Sequence, residues 1–254
     1  MASSLRLALL MGPALPVPAT WAPVPAPLAD ALQSVQVTST AGQANGFQLT
    51  FATSARSVIT TQLLPAGFFD PRARVIIVAI VAGTPVVLMD GVVTRQDVGP
   101  SDEPGASTLT LTGEDLSVLM DLDHQRACWP AMAPDERAAA ICAKYAVYGV
   151  VPAVALRTEP LPDVSDLKPA QIALLGLSRT STSADAVTGQ GKLDVLRYGH
   201  VLKARELVSV RGAGLAYDGA YYVTSVTHEI KRGGYKQSFS LARDGLVSLT
   251  QEVI

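Results

Sequence analysis

The sequence has few charged residues and only two cysteines. Charged side chains make up 17% of its 254 residues, the formal net charge is −2, and no block of like charges occurs. Electrostatic binding to nucleic acid needs clustered Lys and Arg, so this composition argues against a nucleic-acid partner. Two thiols without a dense cysteine framework fit a reducing compartment, where Cys128 and Cys142 are interpreted as small buried side chains.

Long apolar segments are also absent. The segment Val75–Met89 is interrupted by the turn residues at 83–85 and falls short of the ~20 residues that a membrane helix needs. The sequence therefore predicts no transmembrane segment. Hydrophobic residues nevertheless make up 48% of the chain, which is typical of a subunit that buries surface against copies of itself or against partners.

Residues 1–19 allow two interpretations. One arginine, a short apolar stretch and a small-residue pattern at 17–19 look like a secretory signal. However, Gly12 and Pro13 interrupt the apolar run early, and leucine alternates with other residues over Leu5–Leu9 as it does in a strand. We expect a retained first strand here and keep a cleaved signal as the alternative.

Short strand patterns dominate the first 112 residues. Residues 13–27 are rich in Pro and Ala and predict an extended connector, while Thr60–Phe69 predicts a loop or a short helical turn. Arg74–Val81 is a β-branched run typical of a strand covered on both faces. Turn residues separate the strands that we expect at 34–39, 47–51, 74–81, 86–95 and 107–112. This pattern predicts an antiparallel barrel or sandwich.

Helix is predicted only in the middle of the chain, so the predicted fold class is mainly β with minor α. Pro134–Tyr148 begins with a proline and acidic residues, has an Ala-rich interior and is followed by Gly149. Gly113–Asp123 and Lys168–Ser178 are weaker candidates. Strand character resumes at Leu193 and continues to the C-terminal end.

The C-terminal segment 207–246 is the most informative part of the sequence. It contains three β-rich runs, Leu207–Arg211, Tyr221–Ile230 and Tyr235–Arg243, and glycines lie between them. Glycine supplies the positive φ that a tight connection needs. The segment therefore predicts a C-terminal hairpin preceded by a short strand.

No motif predicts catalysis, a cofactor or a metal ion. His228-Glu229 begins like the zinc-protease pattern H-E-x-x-H, but Arg232 occupies the position of the second histidine. We expect His228 to be a strand residue with a satisfied hydrogen bond. The glycines near 191 and 212 lack the other residues of phosphate and dinucleotide loops. Neighbouring carboxylates lie in predicted turns and helix starts, where solvated or capping acids are typical.

Several short motifs occur in an order that one protein family shares. Asp90–Thr94 and Glu103–Asp115 look like the strands and exposed loop of that family's first barrel. Leu193–Gly199 and Val208–Gly212 are also similar to the family, and the C-terminal segment looks like its C-terminal end. The chain resembles the hub proteins of contractile phage tails and phage-tail-like injection systems. These proteins form the late control gene D type of family, which is related to the base of type VI secretion spikes.

The resemblance implies two antiparallel β-barrel domains of the tube type with a small helical segment between them. The first barrel would comprise residues 1–125 and a helical, Pro-rich connection residues 126–189. Residues 190–254 would supply strands of the second barrel. Because the stretch Val150–Asp163 is short for this family, either the second barrel is reduced or part of that region is absent from the chain.

The same resemblance implies a structural subunit and not an enzyme. Three subunits would form a pseudo-sixfold ring that connects the sixfold tail tube to the threefold central spike. The partners would be the tail tube protein, a separate spike protein and other baseplate proteins. The particle, a phage tail or an injection system, would be assembled in the bacterial cytoplasm.

A ring subunit also needs a polar lumen face that alternates with its packed face. The candidate lumen-facing residues are Gln48 and Thr50 in one predicted strand and Thr108, Thr110 and Thr112 in another. An alternative function is an exported β-rich carbohydrate-active or binding protein, for which residues 1–19 would be a true signal.

Overall fold

Antiparallel strands dominate the computed structural model, which describes residues 5–12, 22–101, 106–120, 134–146, 187–214 and 217–243. This confirms the predicted fold class. The strands, numbered in chain order, are β1 (Leu5–Gly12), β2 (Ala22–Pro23), β3 (Leu32–Thr40), β4 (Gly46–Thr53), β5 (Arg74–Val81), β6 (Thr84–Gly99), β7 (Ser107–Asp115), β8 (Val187–Asp194), β9 (Leu207–Val210), β10 (Gly219–Lys231) and β11 (Gly234–Arg243).

Helical segments are short in the part of the chain that the structure describes. The predicted helix at 134–148 is present as a helix that ends at Lys144, and the predicted helix at 168–178 lies outside the described residues. A π-helical turn falls within the segment predicted as a loop or short helical turn. The helices are α1 (Ala26–Ala31), α2 (Pro134–Lys144), α3 (Val195–Tyr198), the π-helix Ile59–Leu63 and the 3-10 helix Leu116–Met120.

The structure corrects the sequence predictions for three segments, besides the turn at 83–85 that is described below. The helix predicted at 113–123 begins too early, because residues 113–115 extend β7 and pair with both β4 and β6. The extended connector predicted at 13–27 ends in α1, where proline is tolerated in the first turn. The strand character predicted from Leu193 onward is interrupted by α3, which Asp194 and Gly199 cap.

The eleven strands of the described residues form one antiparallel hydrogen-bonded sheet. Its order is β2-β1-β5-β6-β7-β4-β3-β10-β11-β8, and β9 pairs with β10. Residues 34–40 of β3 pair with residues 225–231 of β10, so the sheet runs without a break from the first predicted barrel into the second. No pairing among these strands closes the sheet, and the two barrels and the domain boundaries stay predictions.

The connection between β5 and β6 is a two-residue turn. Val81 pairs with Thr84, and the turn residues Ala82 and Gly83 have φ values of 51° and 84°. Positive φ at both positions is the geometry that suits the right-handed twist of a hairpin. The turn predicted at 83–85 therefore lies slightly earlier, and Thr84 already belongs to β6.

The main core lies on one side of the central strands. Phe47, Leu49 and Phe51 of β4 and Leu109 and Leu111 of β7 are all buried there, because alternate side chains of a strand share a face. Each such side chain stabilises the fold by about 1.5–3 kcal/mol relative to an exposed position. The same core continues into the C-terminal hairpin.

The first half of β5 is buried on both faces, as predicted for Arg74–Val81. The consecutive residues 74–77 are all buried, whereas burial alternates from residue 78 onward. Within this stretch Arg74 is 3% exposed and binds Asp90 through two hydrogen bonds of 2.7 Å. The buried cation is therefore paired in bidentate geometry, which burial of a charge requires.

Candidate functional surface: the polar face of the sheet

The five predicted lumen-facing residues lie together on one side of β4 and β7. Gln48 pairs with Thr112 and Thr50 pairs with Thr110, while Thr108 lies opposite Ala52. None of the five is buried, and the residues between them point into the core. The structure therefore brings the predicted set onto one surface.

This surface extends over seven neighbouring strands. Residues at equivalent positions form an unbroken cross-strand row, and every residue in the row is exposed or half-buried. With strands about 4.8 Å apart, the row spans roughly 30 Å. We call this side of the seven strands the polar face. Its central row, from β6 to β8, is Arg95, Thr112, Gln48, Gln36, Glu229, Lys236 and Asp194.

Both signs of charge are interspersed on the polar face. Glu229 of β10 lies opposite Lys236 of β11 in the central row. Arg95 and Asp97 at its other end form an exposed ion pair of 2.7 Å, and the hydrogen bond from Arg95 to Asp97 raises the pKa of the guanidinium. Hydroxyl and amide groups occupy most positions between the charges. The face can therefore stay hydrated without attracting a ligand of one sign.

Two glycines in the motifs that resemble the hub family allow the strands under the polar face to pack closely. There is no space for a side chain at Gly113, because a Cβ there would overlap both the Phe47 ring and the Val92 carbonyl. A Cβ at Gly91 would overlap the Glu114 carbonyl. Both glycines are therefore needed for close approach of β4, β6 and β7.

Asp115 closes the end of the same strands. Its Oδ2 accepts a hydrogen bond from the backbone N–H of Asn45 (3.1 Å), and its Oδ1 accepts from the backbone N–H of Ser117 (2.9 Å). The carboxylate thus joins the β3–β4 turn to the start of the 3-10 helix. Asp115 therefore has a structural role at this end of the strands.

The motif at 193–199 is a capped helical turn. Asp194 Oδ1 accepts hydrogen bonds from the backbone N–H groups of Leu196 (3.0 Å) and Arg197 (3.3 Å). At the other end Gly199 has φ 84°, and its N–H donates to the Val195 carbonyl (2.7 Å). Sequence reasoning recognised the motif but missed this helical role, although an N-cap Asp before and a glycine after the turn are the signal.

A buried polar cluster lies under the C-terminal hairpin. His228 Nδ1 lies 2.8 Å from the Tyr235 hydroxyl and 3.0 Å from Gln237 Nε2. The Gln237 amide also accepts from the Leu202 N–H (3.1 Å) and donates to the Leu202 carbonyl (2.9 Å). The predicted satisfied hydrogen bond of His228 is confirmed, whereas the glutamine was not predicted.

Burial shifts the ionisation of this cluster. His228 is 3% exposed, and burial lowers the pKa of its imidazole from 6.5 to about 4. Burial also raises the pKa of the Tyr235 phenol. Both groups are therefore neutral near pH 7, and the cluster holds the hairpin together without charge.

The described part of the chain was also compared with the requirements of a metal site, a membrane-spanning helix and a reactive thiol. No group of three or more His, Cys, Asp or Glu side chains there could hold a metal ion. The described helices include none that is long and apolar enough to cross a membrane. Cys142 has a free, half-buried thiol, and Cys128 lies outside the described residues.

Solved structures with the same fold come from phage tails and from a secretion system. A tail protein from Neisseria meningitidis has a TM-score of 0.54 at 12% identity, covering 94% of this chain and 97% of that protein. The 43 kDa tail protein of prophage MuSo2 from Shewanella oneidensis has a TM-score of 0.59 at 10% identity, with 95% and 99% covered.

The third similar structure is an E. coli component of the type VI secretion system. It has a TM-score of 0.54 at 11% identity, covering 88% of this chain and 76% of that protein, and is described as similar in structure to the T4 tail proteins gp27 and gp5. No family model and no curated protein sequence matches the chain. The chain thus has the fold of phage tail and type VI secretion proteins, which confirms the resemblance seen in its sequence.

Proposed function

We propose that the protein is a structural baseplate hub subunit of a contractile phage tail or contractile injection system. Three copies form a pseudo-sixfold ring between the sixfold tail tube and a separate threefold spike protein. The subunit has no enzymatic activity in this proposal. It is assembled in the bacterial cytoplasm with the tube, the spike and other baseplate proteins.

The observation that carries this proposal is the polar face. An antiparallel sheet of a monomeric protein commonly has one solvated side. Here that solvated side is continuous over seven strands and extends across two predicted domains. Such a surface suits the wall of a wide aqueous channel, because it is hydrated, mixed in charge and free of large apolar patches. In the ring the polar face lines the lumen.

The edges of the sheet supply the second argument. The edge strand β8 pairs with β11 on one side, and β2 at the other end has only two residues. Edge strands expose backbone groups that can pair with another chain, and closed rings remove such edges. Similar folds in phage tail proteins make a tail assembly the natural setting for that closure.

The proposal is tested by mass and by labelling of the assembled ring. We expect light scattering to give three times the subunit mass. In a background with Cys128→Ser and Cys142→Ser, Thr110→Cys should react with a small maleimide but slowly with a maleimide carrying a large polymer. The exposed loop variant Ala55→Cys is the control and should react with both reagents.

A stable monomer, or equal access of the large reagent to both cysteines in the assembled ring, would contradict the proposal.

A further inference from the structure

A small pocket lies where the loop at 200–206 meets the β3–β4 turn. Its volume is about 170 Å³, and its walls include Lys203 and Arg205 from the loop, Asn45 from the turn and His228 from β10. No acidic side chain is among the described residues that line it. We propose that this pocket binds an oxyanion, supplied either as a carboxylate or as a phosphate group.

The two cationic side chains are carried by a loop whose backbone is fixed on both sides of Lys203. Before it, the Gln237 amide binds both the N–H and the carbonyl of Leu202. After it, the Arg205 N–H donates to the Val223 carbonyl (2.8 Å). The positions from which the charges extend are thus set before any ligand arrives, which lowers the entropic cost of binding.

Arg205 also has a backbone conformation that is unusual for its residue type. Its φ is 70°, in the left-handed region that L-residues with side chains seldom occupy. Such conformations persist where the surrounding structure determines them, and they cluster at binding sites. Here the hydrogen bond to Val223 holds the arginine in that conformation beside the pocket.

His228 is a further lining residue, and its imidazole carries a hydrogen-bond donor. The Gln237 Oε1 atom is used by the Leu202 N–H, so the amide nitrogen faces His228 Nδ1, which acts as an acceptor. A neutral imidazole whose Nδ1 accepts carries its proton on Nε2. No described residue accepts a hydrogen bond from this Nε2–H, although the residue is 3% exposed. A buried donor of this kind needs a partner.

Asn45 adds further donors of the same kind. Its Oδ1 accepts from the Thr40 backbone N–H (2.9 Å), which assigns the other end of the amide as the NH₂ group. The acidic residue near this turn, Asp115, accepts from the backbone N–H of Asn45 and lies outside the lining. The polar groups with free capacity are therefore mainly donors, which is what an oxyanion requires.

The volume limits the size of the ligand. A water molecule takes about 30 Å³ of liquid, so the pocket has space for one carboxylate or phosphate group and a few waters. A free anion of this size and the side chain or terminus of a larger partner present the same chemistry.

The test is a titration of the full chain at constant ionic strength, with potassium phosphate in one series and sodium acetate in the other. The readout is the His228 imidazole resonance in NMR spectra. We expect a saturable shift in the millimolar range. A response to acetate alone would indicate a carboxylate as the ligand, and a response to phosphate alone would indicate a phosphate group.

Two variants separate a built site from general attraction of anions. Lys203→Met, and Lys203→Met combined with Arg205→Asn, remove the cations, and asparagine tolerates a left-handed backbone. We expect affinity to fall by about tenfold or more in the double variant. Lys231→Met removes an exposed cation outside the pocket and should bind like the unmodified protein.

The proposal is overturned if neither anion shifts the His228 resonance, or if the double variant, still folded by circular dichroism, binds as well as the unmodified protein. An equal loss in Lys231→Met would also overturn it. Binding is measured on the isolated chain and ring formation by mass, so failure of this proposal and failure of the proposed function can be distinguished.

Discussion

The two parts of the continuous sheet are stabilised in different ways. In β1 to β7 the buried side chains are apolar, such as Phe51 and Leu49, with two exceptions: Thr53 and Arg74, which is paired with Asp90. In β10 and β11 the interior includes Gln237, which is completely buried, together with His228 and Arg243. The first part depends mainly on removal of apolar area from water, and the second depends in addition on several buried polar groups that need partners.

In both parts of the sheet an aromatic ring covers a glycine. Phe47 lies over Gly113 in the first part, and Phe239 lies over Gly191 in the second. A side chain at Gly113 would also overlap the backbone, whereas the three nearest atoms to a side chain at Gly191 all belong to the Phe239 ring. The space at Gly113 is therefore limited by the backbone, and the space at Gly191 is limited by a ring that can move.

The largest expected effect is in the apolar part. Phe51→Ala should lower the free energy of unfolding by about 3–5 kcal/mol, because it removes a completely buried ring and leaves a cavity. Chemical denaturation measures the change. Thr50→Ala, on the opposite face of the same strand, is the control and should stay within about 0.5 kcal/mol. Similar losses in both variants would show that β4 does not have one packed and one solvated side.

The polar part should be sensitive to pH. The His228 pKa is lower in the folded protein (about 4) than in the unfolded chain (6.5), so the unfolded chain binds more protons between these values. The contribution of neutral His228 to stability is fully present above pH 6.5. The free energy of unfolding should fall by about 3 kcal/mol as the pH falls to 4. The measurement is denaturation at a series of pH values.

His228→Gln is the matched control for this titration, because its amide oxygen can accept the same hydrogen bonds without taking up a proton. Its stability should fall less than that of the unmodified protein over the same range. Parallel pH profiles for the two proteins would mean that His228 is not the group responsible.

A smaller loss is expected when the glutamine of the polar cluster is replaced. Gln237→Leu keeps the approximate volume but leaves the Leu202 backbone groups without their partner, at a cost of about 1–3 kcal/mol. Lys236→Ala, one residue earlier and exposed, should be nearly neutral. Hydrogen exchange should show faster exchange of the Leu202 amide in the glutamine variant, and protection equal to that of the unmodified protein would contradict this role.

The finest test of the comparison concerns the two glycines. Gly113→Ala and Gly191→Ala should each destabilise the protein by about 1–3 kcal/mol through overpacking. Adding Phe239→Leu should restore most of the loss at Gly191→Ala, while adding Phe47→Leu should restore little at Gly113→Ala, because the Val92 carbonyl remains in the way. Equal rescue in thermal denaturation of both pairs would remove the distinction between the two closures.

Local patterns in the sequence predicted most of the strands. Alternation and β-branched runs located β4, β5 and β7, and the glycines located the C-terminal hairpin. The first strand expected at residues 5–9 is present as β1, which pairs with β5 along its whole length. These features depend on neighbours in sequence, so their signal is local.

Features that depend on distant residues could not be predicted in the same way. The extension of β7 over residues 113–115 follows from its pairing with two other strands. Five members of the polar face were predicted from alternation. Gln36 joins them through the β3–β4 register, whereas Glu229 and Lys236 join only because β3 pairs with β10 and β10 pairs with β11. The Gln237 cluster likewise needs the loop at Leu202, which lies 35 positions away in the sequence.

In the proposed ring the polar face points toward the central axis of the assembly. Electron cryomicroscopy of the native particle measures this most directly. We expect a threefold ring between tube and spike, with Gln48, Thr50 and Thr110 facing the central axis. A ring in which these residues form the outer wall, or a particle in which the protein occurs as single copies, would contradict it.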